Sequence, residues 1–331
     1  MIDTAQSEMA FALSVVREAS LLAQRIQAGM AVRGLVKSDL SPVTVADYAI
    51  QALVAHRLEL AFPDAVLVAE EGSEELRAPE GAVVLELVTE FIGKAFPGAT
   101  AEEVCAWIDR GAAEPTKRFW TLDPIDGTKG YLRSGQYAVA LAVIDAGQVE
   151  LATLGCPNLG EHCTPDLLGL GSLLAARRGE GAWVTALSVD DDPFLPLHVA
   201  DRPEIYDARM LRSVESAHTD ADKIEELAHA LELEAEPVRI DSQAKYTMLA
   251  AGQAEILLRL LSPKQMDYKE KIWDQAAGSL LLEEAGGRIT DLDGKPLDFT
   301  QGRRLENNRG ICATHGPIHD TVLQGIAQVG A

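Results

Sequence analysis

Cysteine is scarce in this sequence of 331 residues and follows no recognisable pattern. The four cysteines are Cys105, Cys156, Cys163 and Cys312. Their spacing matches neither a set of zinc ligands nor a disulfide framework, so we predict reduced thiols. A disulfide-stapled secreted module is therefore excluded as an explanation of the fold.

Long apolar runs are also missing from the sequence. No stretch approaches the roughly 20 apolar residues that span a bilayer. Near the start of the chain, Asp3, Glu8 and Glu18 interrupt the apolar positions, unlike the basic start and unbroken apolar core of a secretory signal. We therefore expect a soluble, cytoplasmic protein with no membrane partner.

Basic residues are outnumbered by acidic ones. The sequence has 29 Lys and Arg against 51 Asp and Glu, a formal net charge of −22 at pH 7. The average field of such a surface repels nucleic acids and anionic membranes, so no nucleic acid polymer is expected as a partner. A solvated acidic surface that aids solubility explains most of the excess. The composition is also compatible with local clusters of carboxylates that bind cations.

The apolar spacing predicts regular elements in both halves of the chain. Apolar residues repeat with helical spacing from Ser7 to Gln27 and from Val45 to Leu60, which indicates amphipathic helices. Short apolar runs at Val66–Ala69 and Phe119–Leu122 indicate strands. A further helix is predicted from Ile272 to Ala285, where glycines stop it.

The order of these elements favours a layered α/β architecture. With 47% apolar residues, the chain can bury a core of ordinary size. The Pro/Gly-rich stretch 157–171 is the candidate boundary between an N-terminal domain, 1–165, and a C-terminal domain, 166–331. Residues 72–117 show a mixed pattern that predicts no definite element.

Several acidic residues lie at the ends of predicted elements. They are Asp47 and Asp274 at helix starts, and Glu70, Asp123 and Asp126 after strands. Such ends often carry sites, because the scaffold fixes the side chains and leaves them open to solvent. Any one of these acids alone is more simply a helix cap or a solvated surface acid. Their combination with the loop DPIDGTKG favours a functional site.

The residues of this loop suit a hard cation and a phosphate. Asp123 and Asp126 can face one point, with the Ile125 carbonyl as a third oxygen donor. Close carboxylates repel each other unless a divalent ion compensates them, and ligation by oxygen alone favours Mg²⁺ over zinc. Gly127 and Thr128 add an unhindered backbone N–H and a hydroxyl, the groups that a phosphate and an attacking water require.

Four segments of the chain resemble, in order, the signature segments of the lithium-sensitive, magnesium-dependent inositol monophosphatase superfamily. They are SPVTVADY at 41–48, AEEGS at 69–73, WTLDPIDGTKGYLR at 120–133 and IWDQAAG at 272–278. Similarity to the 3′(2′),5′-bisphosphate nucleotidases within it comes from DPIDGTKGYLR, SVESAHTD at 213–220, RIDSQAKY at 239–246 and YKEKIWDQAAG at 268–278. The resemblance implies a layered αβαβα sandwich, α+β in its N-terminal half and α/β in its C-terminal half, with the site between the halves.

Carried over by position, the resemblance implies two to three Mg²⁺ ions. One would be bound by Glu70, Asp123 and the Ile125 carbonyl. A second would be bound by Asp123, Asp126 and Asp274. A third, weaker ion near Glu70 is typical of the family, and the resemblance also implies inhibition by Li⁺.

The implied reaction is an in-line displacement on phosphorus by a water that the first ion activates. Glu70 and Thr128 would orient this water, and the Thr128 hydroxyl would donate a hydrogen bond to Asp47. The backbone N–H groups of Gly127 and Thr128 would hold the phosphate oxygens. No covalent phosphoenzyme is needed.

The implied substrate is a small phosphorylated molecule, 3′-phosphoadenosine 5′-phosphate and also its 5′-phosphosulfate. A chain this acidic needs local cations for the second phosphate, and Lys245 and Arg259 are the candidates. By position, Asp241, Ser242 and His218 would also surround the ribose, 5′-phosphate and adenine. Taken alone, each of these would be an ordinary surface residue.

Three other functions compete with this one. An inositol mono- or polyphosphate phosphatase would share the metal site without binding adenine, and the chain has Gln275 and Asp220 where related nucleotidases more often have histidine. A catalytically silent binding protein is disfavoured because every implied ligand is present. A cysteine-dependent phosphatase is disfavoured because the sequence has no Cys-x5-Arg loop. Monomer and homodimer both stay open.

Overall fold

A computed structural model describes residues 6–32, 42–160, 163–202, 204–214, 220–262 and 264–331. The helices are α1 Ser7–Val32, α2 Pro42–Ala61, α3 Glu74–Arg77, α4 Ala82–Ile92, α5 Ala101–Asp109, α6 Thr128–Leu132, α7 Ala221–Ala230, α8 Ala244–Ala250, α9 Ile272–Glu284 and α10 His319–Val329. The strands are β1 Leu67–Ala69, β2 Arg118–Asp126, β3 Ala138–Asp145, β4 Gln148–Cys156, β5 Ser172–Arg177, β6 Gly181–Ala186, β7 Leu195–Leu197, β8 Met210–Arg212, β9 Val238–Arg239, β10 Ile256–Arg259, β11 Arg288–Thr290 and β12 Ile311–Thr314. None of the described helices has the length and apolar character needed to cross a membrane.

The strands form two sheets. The larger sheet has seven strands in the order β1-β2-β3-β4-β5-β6-β7, with β1 parallel to β2 and antiparallel pairing from β2 onward. The smaller sheet has five strands in the order β11-β12-β10-β8-β9. Its strand β10 is parallel to β8 and antiparallel to β12.

The helices and sheets form five layers, which three hydrophobic clusters hold together. The second cluster fills both faces of the middle helical layer. Helices α1 and α2 pack on one face of the larger sheet, α8 and α9 lie between the two sheets, and α7 and α10 cover the outer face of the smaller sheet. Strand β3 shows how the larger sheet serves two clusters. Its Val139 and Leu141 join the cluster of α1 and α2, whereas Ala140 and Ala142 join the cluster of α9. The predicted αβαβα sandwich is confirmed.

The predicted helices and strands are found, with shifted ends. The second helix begins at Pro42 and not at Val45, because proline is well accommodated in the first turn of a helix. Asp47 therefore lies in the second turn and not at the start of the helix. The helix that ends at Glu284 is followed by Gly286, whose φ of 96° fits the predicted stop.

Two predictions about the loops need correction. Asp123 and Asp126 do not follow a strand but form the end of β2, where the pairing with β3 shifts between them. Residues 72–117 contain the short helices α3, α4 and α5. The last of these starts with a capping box, since Thr100 accepts from the Glu103 N–H and Glu103 bonds back to Thr100.

The predicted boundary at about residue 165 falls inside the larger sheet. The stretch 157–171 connects β4 and β5, which are hydrogen-bonded neighbours. The change from one sheet to the other comes later, between Leu197 and Met210. The division into domains 1–165 and 166–331 stays a prediction.

Candidate active site

A cavity of about 430 Å³ opens where the end of β2 faces the α8, β10 and α9 region. Most of the residues that the sequence singled out line it: Glu70, Asp123, Ile125, Asp126, Gly127, Thr128, Asp241, Ser242, Lys245, Arg259 and Asp274. Asp47 is not part of the lining but lies close behind it, within electrostatic range of Glu70. His218 lies outside the described residues.

The pairing of β1 with β2 explains why acids far apart in sequence meet. The two strands are parallel, and Ala69 is opposite Leu122. The next residues along the chain, Glu70 after β1 and Asp123 within β2, therefore lie side by side. Helix α9 packs against β2, β3 and β4 and contributes Asp274 from its first turn. Three separate elements thus direct carboxylates into one cavity.

Asp123 is the most enclosed of these carboxylates. Only 3% of the residue is exposed, and its buried Oδ1 accepts no hydrogen bond from the described residues. Burial raises the pKa of its carboxyl well above the usual range, and repulsion from Glu70 and Asp126 adds to this. Burial likewise raises the pKa of Asp274, with a further contribution from Asp126. Such a cluster is unfavourable when ionised unless a positive charge compensates it.

The donors in the cavity fit a hard divalent cation. They are carboxylate and carbonyl oxygens, which Mg²⁺ prefers, and the buried Asp123 Oδ1 lacks a partner. Within the described residues, no three Asp, Glu, His or Cys side chains already converge as a finished ligand set.

The turn after β2 depends on glycine at one position. Gly127 has a φ of 92°, in the left-handed region, and a Cβ at this residue would lie 2.7 Å from the Ser242 Cβ. This close approach brings the turn after β2 against Ser242, which lies just before α8. Thr128 then starts α6, exposed to solvent.

We expect Gly127→Ala to reduce turnover by about a hundredfold, because the contact with Ser242 displaces the turn. Gly179→Ala is the matched control: its φ is 80°, but nothing lies within 4 Å of an added Cβ. The positive φ alone costs about 1–2 kcal/mol in either variant. Thermal unfolding and initial rates measure both effects, and equal losses in the two variants would contradict the importance of the Ser242 contact.

The cavity lining also carries cations. The Lys245 ammonium donates to the Ser213 hydroxyl at 2.9 Å, and burial together with Arg259 lowers the pKa of Lys245 to about 8. The Arg259 guanidinium donates to Glu270 at 2.9 Å. Glu270 is only 3% exposed, so its charge is satisfied mainly inside the protein.

Gln275 connects this ion pair to the core. Its amide donates to Glu270 at 2.9 Å and its carbonyl accepts from the Tyr246 hydroxyl. The residue at this position therefore supports the Arg259–Glu270 pair in the described structure. Asp220, the other departure from related sequences, accepts from the Lys223 N–H at the start of α7 and acts as its N-cap.

The environment of Asp47 differs from the implied one. It is buried, and burial together with Glu71 and Glu70 raises the pKa of its carboxyl well above the usual range. Thr128 is exposed, and among the hydrogen bonds of the described residues none joins its hydroxyl to Asp47.

Sequence reasoning missed several residues of the site. Gln243 donates its backbone N–H to Asp126, Arg133 donates to Asp241 at 2.7 Å, and Tyr268 lines the cavity. All three lie inside the quoted segments, but the segments do not show which residues face one another. Glu270 was also missed, because it is 11 positions from its partner Arg259 and the sequence does not show that the two meet.

The model of the inositol monophosphatase family matches residues 4–331. The chain belongs to this family. It is 39% identical over 341 residues to a 3′(2′),5′-bisphosphate nucleotidase of Schizosaccharomyces pombe, which covers 98% of this chain and 96% of the relative. It is 40% identical over 339 residues to a 3′(2′),5′-bisphosphate nucleotidase of Oryza sativa, with coverage of 97% and 93%.

Solved structures show the same fold at low sequence identity. The Thermotoga maritima IMPase superposes with a TM-score of 0.65 at 18% identity, covering 98% of each chain. The inositol monophosphatase from Anabaena gives a TM-score of 0.60 at 20% identity, covering 98% of this chain and 97% of the other. At these identities the comparison supports the fold alone.

Proposed function

We propose that this protein is a 3′(2′),5′-bisphosphate nucleotidase that removes the 3′-phosphate of 3′-phosphoadenosine 5′-phosphate and of its 5′-phosphosulfate. The observation that carries the proposal is the pairing of opposite charges in one cavity. Carboxylates at the end of β2 line the same cavity as Lys245 and Arg259, and both cations lie within electrostatic range of Asp126. A substrate with two anionic groups needs a cation-assisted site for one and fixed basic side chains for the other. The nucleotidase relatives support the same choice.

The residues that would hold Mg²⁺ are Glu70, Asp123, the Ile125 carbonyl, Asp126 and Asp274. We propose two to three ions and sensitivity to Li⁺, as the family resemblance implies. When bound, the ions supply Lewis-acid activation of water and stabilisation of the leaving oxygen. The fit rests on the all-oxygen donor set and on the unpartnered, buried Asp123 Oδ1.

The remaining steps fall to side chains and backbone groups of the chain itself. The N–H groups of Gly127 and Thr128 would donate to phosphate oxygens at the start of α6. The Thr128 hydroxyl and Glu70 would orient the attacking water for displacement in line with the leaving oxygen. Asp47 would then accept from Thr128, while Lys245, Arg259, Ser242, Asp241 and His218 would surround the nucleoside 5′-phosphate.

Product analysis tests the proposal. Incubation of 3′-phosphoadenosine 5′-phosphate with the protein and Mg²⁺ should release one phosphate and leave AMP, and a chelator should stop the reaction. Adenosine 3′-phosphate as the product would show attack at the wrong phosphate. No phosphate release from the nucleotide, with release from an inositol phosphate, would favour an inositol phosphate phosphatase instead.

We expect kcat/KM for the nucleotide to decrease as the pH rises through about 8, the pKa to which Lys245 is lowered. Below that pH the ammonium is charged and attracts the 5′-phosphate; above it the attraction is lost. Lys245→Arg keeps its charge throughout this range, so its profile should lack this decrease. Identical profiles for wild type and variant would rule out Lys245 as the titrating group.

A further inference from the structure

Residues 241–245, which we call the strap, lead from β9 into the first turn of α8, and all of them except Ala244 line the cavity. Asp241 begins the strap and uses both carboxylate oxygens within the protein. Its Oδ2 accepts from the Arg133 guanidinium at 2.7 Å, and its Oδ1 accepts from the Val214 N–H at 3.0 Å. Only 13% of the side chain is exposed. Asp241 thus ties the strap both to the end of α6 and to the segment after β8.

The strap meets the end of β2 next to the proposed cation site. The backbone N–H of Gln243 donates to the Asp126 Oδ2. Ser242 adopts a φ of 68°, which is uncommon for a residue with a side chain, and packs directly on Gly127. A strained residue in such a position persists only where its surroundings hold it.

The Gln243 side chain fixes the other side of the strap. Its amide nitrogen donates to the Trp273 carbonyl, and its amide oxygen accepts from the Gly278 N–H, both at 3.1 Å. These partners belong to α9, the helix that carries Asp274. The strap therefore lies between Asp126 and the helix of Asp274, and its position sets the direction of the Gln243 N–H.

We infer that the ion pair between Arg133 and Asp241 is a latch that holds the strap so that the Gln243 N–H orients Asp126 for cation binding. The inference rests on the proposed function. Partly exposed ion pairs contribute little to global stability. The effect that we assign to this ion pair is to fix the position of the strap. Arg133 and Asp241 are positioning residues, and Asp241 acts through Arg133 and Val214 in addition to any contact with ribose.

Titration calorimetry with Mg²⁺ alone tests this inference. We expect Arg133→Met and Asp241→Asn each to weaken Mg²⁺ binding about threefold to fivefold. The double variant should be no weaker than the weaker single variant, because either change opens the same latch. Arg133→Lys keeps the charge and should recover most of the affinity. Since no nucleotide is present, a residue that only contacts ribose would leave this affinity unchanged.

Arg118→Met is the matched control for the loss of a partly exposed arginine ion pair. Arg118 is 43% exposed against 42% for Arg133, and it pairs with Glu8 and Asp145 away from the cavity. Its Mg²⁺ affinity should equal that of the wild type. Unchanged affinity in the Arg133 and Asp241 variants, or effects that multiply in the double variant, would overturn the latch.

The nucleotidase assay on the same preparations separates the two proposals. A wild-type protein that binds Mg²⁺ but releases no phosphate from the nucleotide would contradict the proposed function. The latch would still be supported in that case if the variants bind Mg²⁺ more weakly than the wild type. An active wild type whose variants all bind Mg²⁺ equally well would contradict the latch alone.

Discussion

Asp123→Asn should reduce turnover by about a thousandfold or more, since several kcal/mol of transition-state stabilisation depend on charge compensation at this site. Asp123 is the buried carboxylate with an unpartnered oxygen, and Glu70, Asp126 and Asp274 all repel it. The amide keeps the shape of the side chain but removes the charge that a cation requires. The variant should therefore fold normally and fail in catalysis.

The stability of this variant distinguishes a cation ligand from a structural residue. In metal-free buffer, Asp123→Asn should unfold at the same temperature as the wild type or higher, because the substitution removes repulsion inside the cluster. Added Mg²⁺ should raise the unfolding temperature of the wild type clearly more than that of the variant. The exposed Asp64, changed to Asn, serves as the control and should behave like the wild type in both assays. Nearly normal turnover in Asp123→Asn would contradict the assignment.

Lys245→Met should raise KM for the nucleotide bisphosphate about tenfold to a hundredfold, the range expected for a lost charge-assisted hydrogen bond. The ammonium is half-buried and donates to Ser213 in the cavity wall that Lys245 and Arg259 share. Methionine fills a similar volume without the charge. KM for inositol 1-phosphate should change much less, because that substrate has no second phosphate to place against this wall.

The comparison between substrates makes the Lys245 experiment specific. Lys117→Met removes an exposed lysine on the far end of β2 and should alter neither KM. Lys245→Arg should retain more of the nucleotide affinity than Lys245→Met. If Lys245→Met weakens both substrates equally, the residue supports the shared phosphate site and does not define a nucleotide pocket.

The local chemistry of the site could be predicted from sequence because its key residues are consecutive. The DPIDGT loop places two carboxylates, a carbonyl, a glycine and a hydroxyl within a few residues, and the structure keeps all of them at the cavity. The requirement for glycine at Gly127 was not predictable in this way, because it depends on a positive φ and on contact with the distant Ser242. The resemblance supplied the layered fold, which periodicity alone did not define.

Contacts across the chain could not be predicted in the same way. Arg133 and Asp241 are 108 positions apart. The sequence does not show that the two Asp241 carboxylate oxygens accept hydrogen bonds from Arg133 and Val214. Helix α2 begins at Pro42, before the predicted start at Val45, because proline fits the first turn of a helix. The segment that holds α3, α4 and α5 has short helices whose ends depend on caps and on packing against α2.

The predicted boundary near residue 165 rests on composition alone. A Pro/Gly-rich stretch indicates a change of direction, and the stretch 157–171 does make one, between neighbouring strands of one sheet. Composition does not distinguish such a connection from a linker between domains, because both require turns and few apolar contacts. Strand pairing, which is a long-range property, decides between them.

The most direct test of the nucleotidase proposal is a comparison of kcat/KM for 3′-phosphoadenosine 5′-phosphate and inositol 1-phosphate at saturating Mg²⁺, with and without Li⁺. We predict a preference for the nucleotide of about tenfold or more, which corresponds to about 1.4 kcal/mol of selective binding, and inhibition of both reactions by Li⁺. An equal rate or a preference for inositol 1-phosphate would contradict the nucleotide assignment and would leave the carboxylate site as that of an inositol phosphate phosphatase.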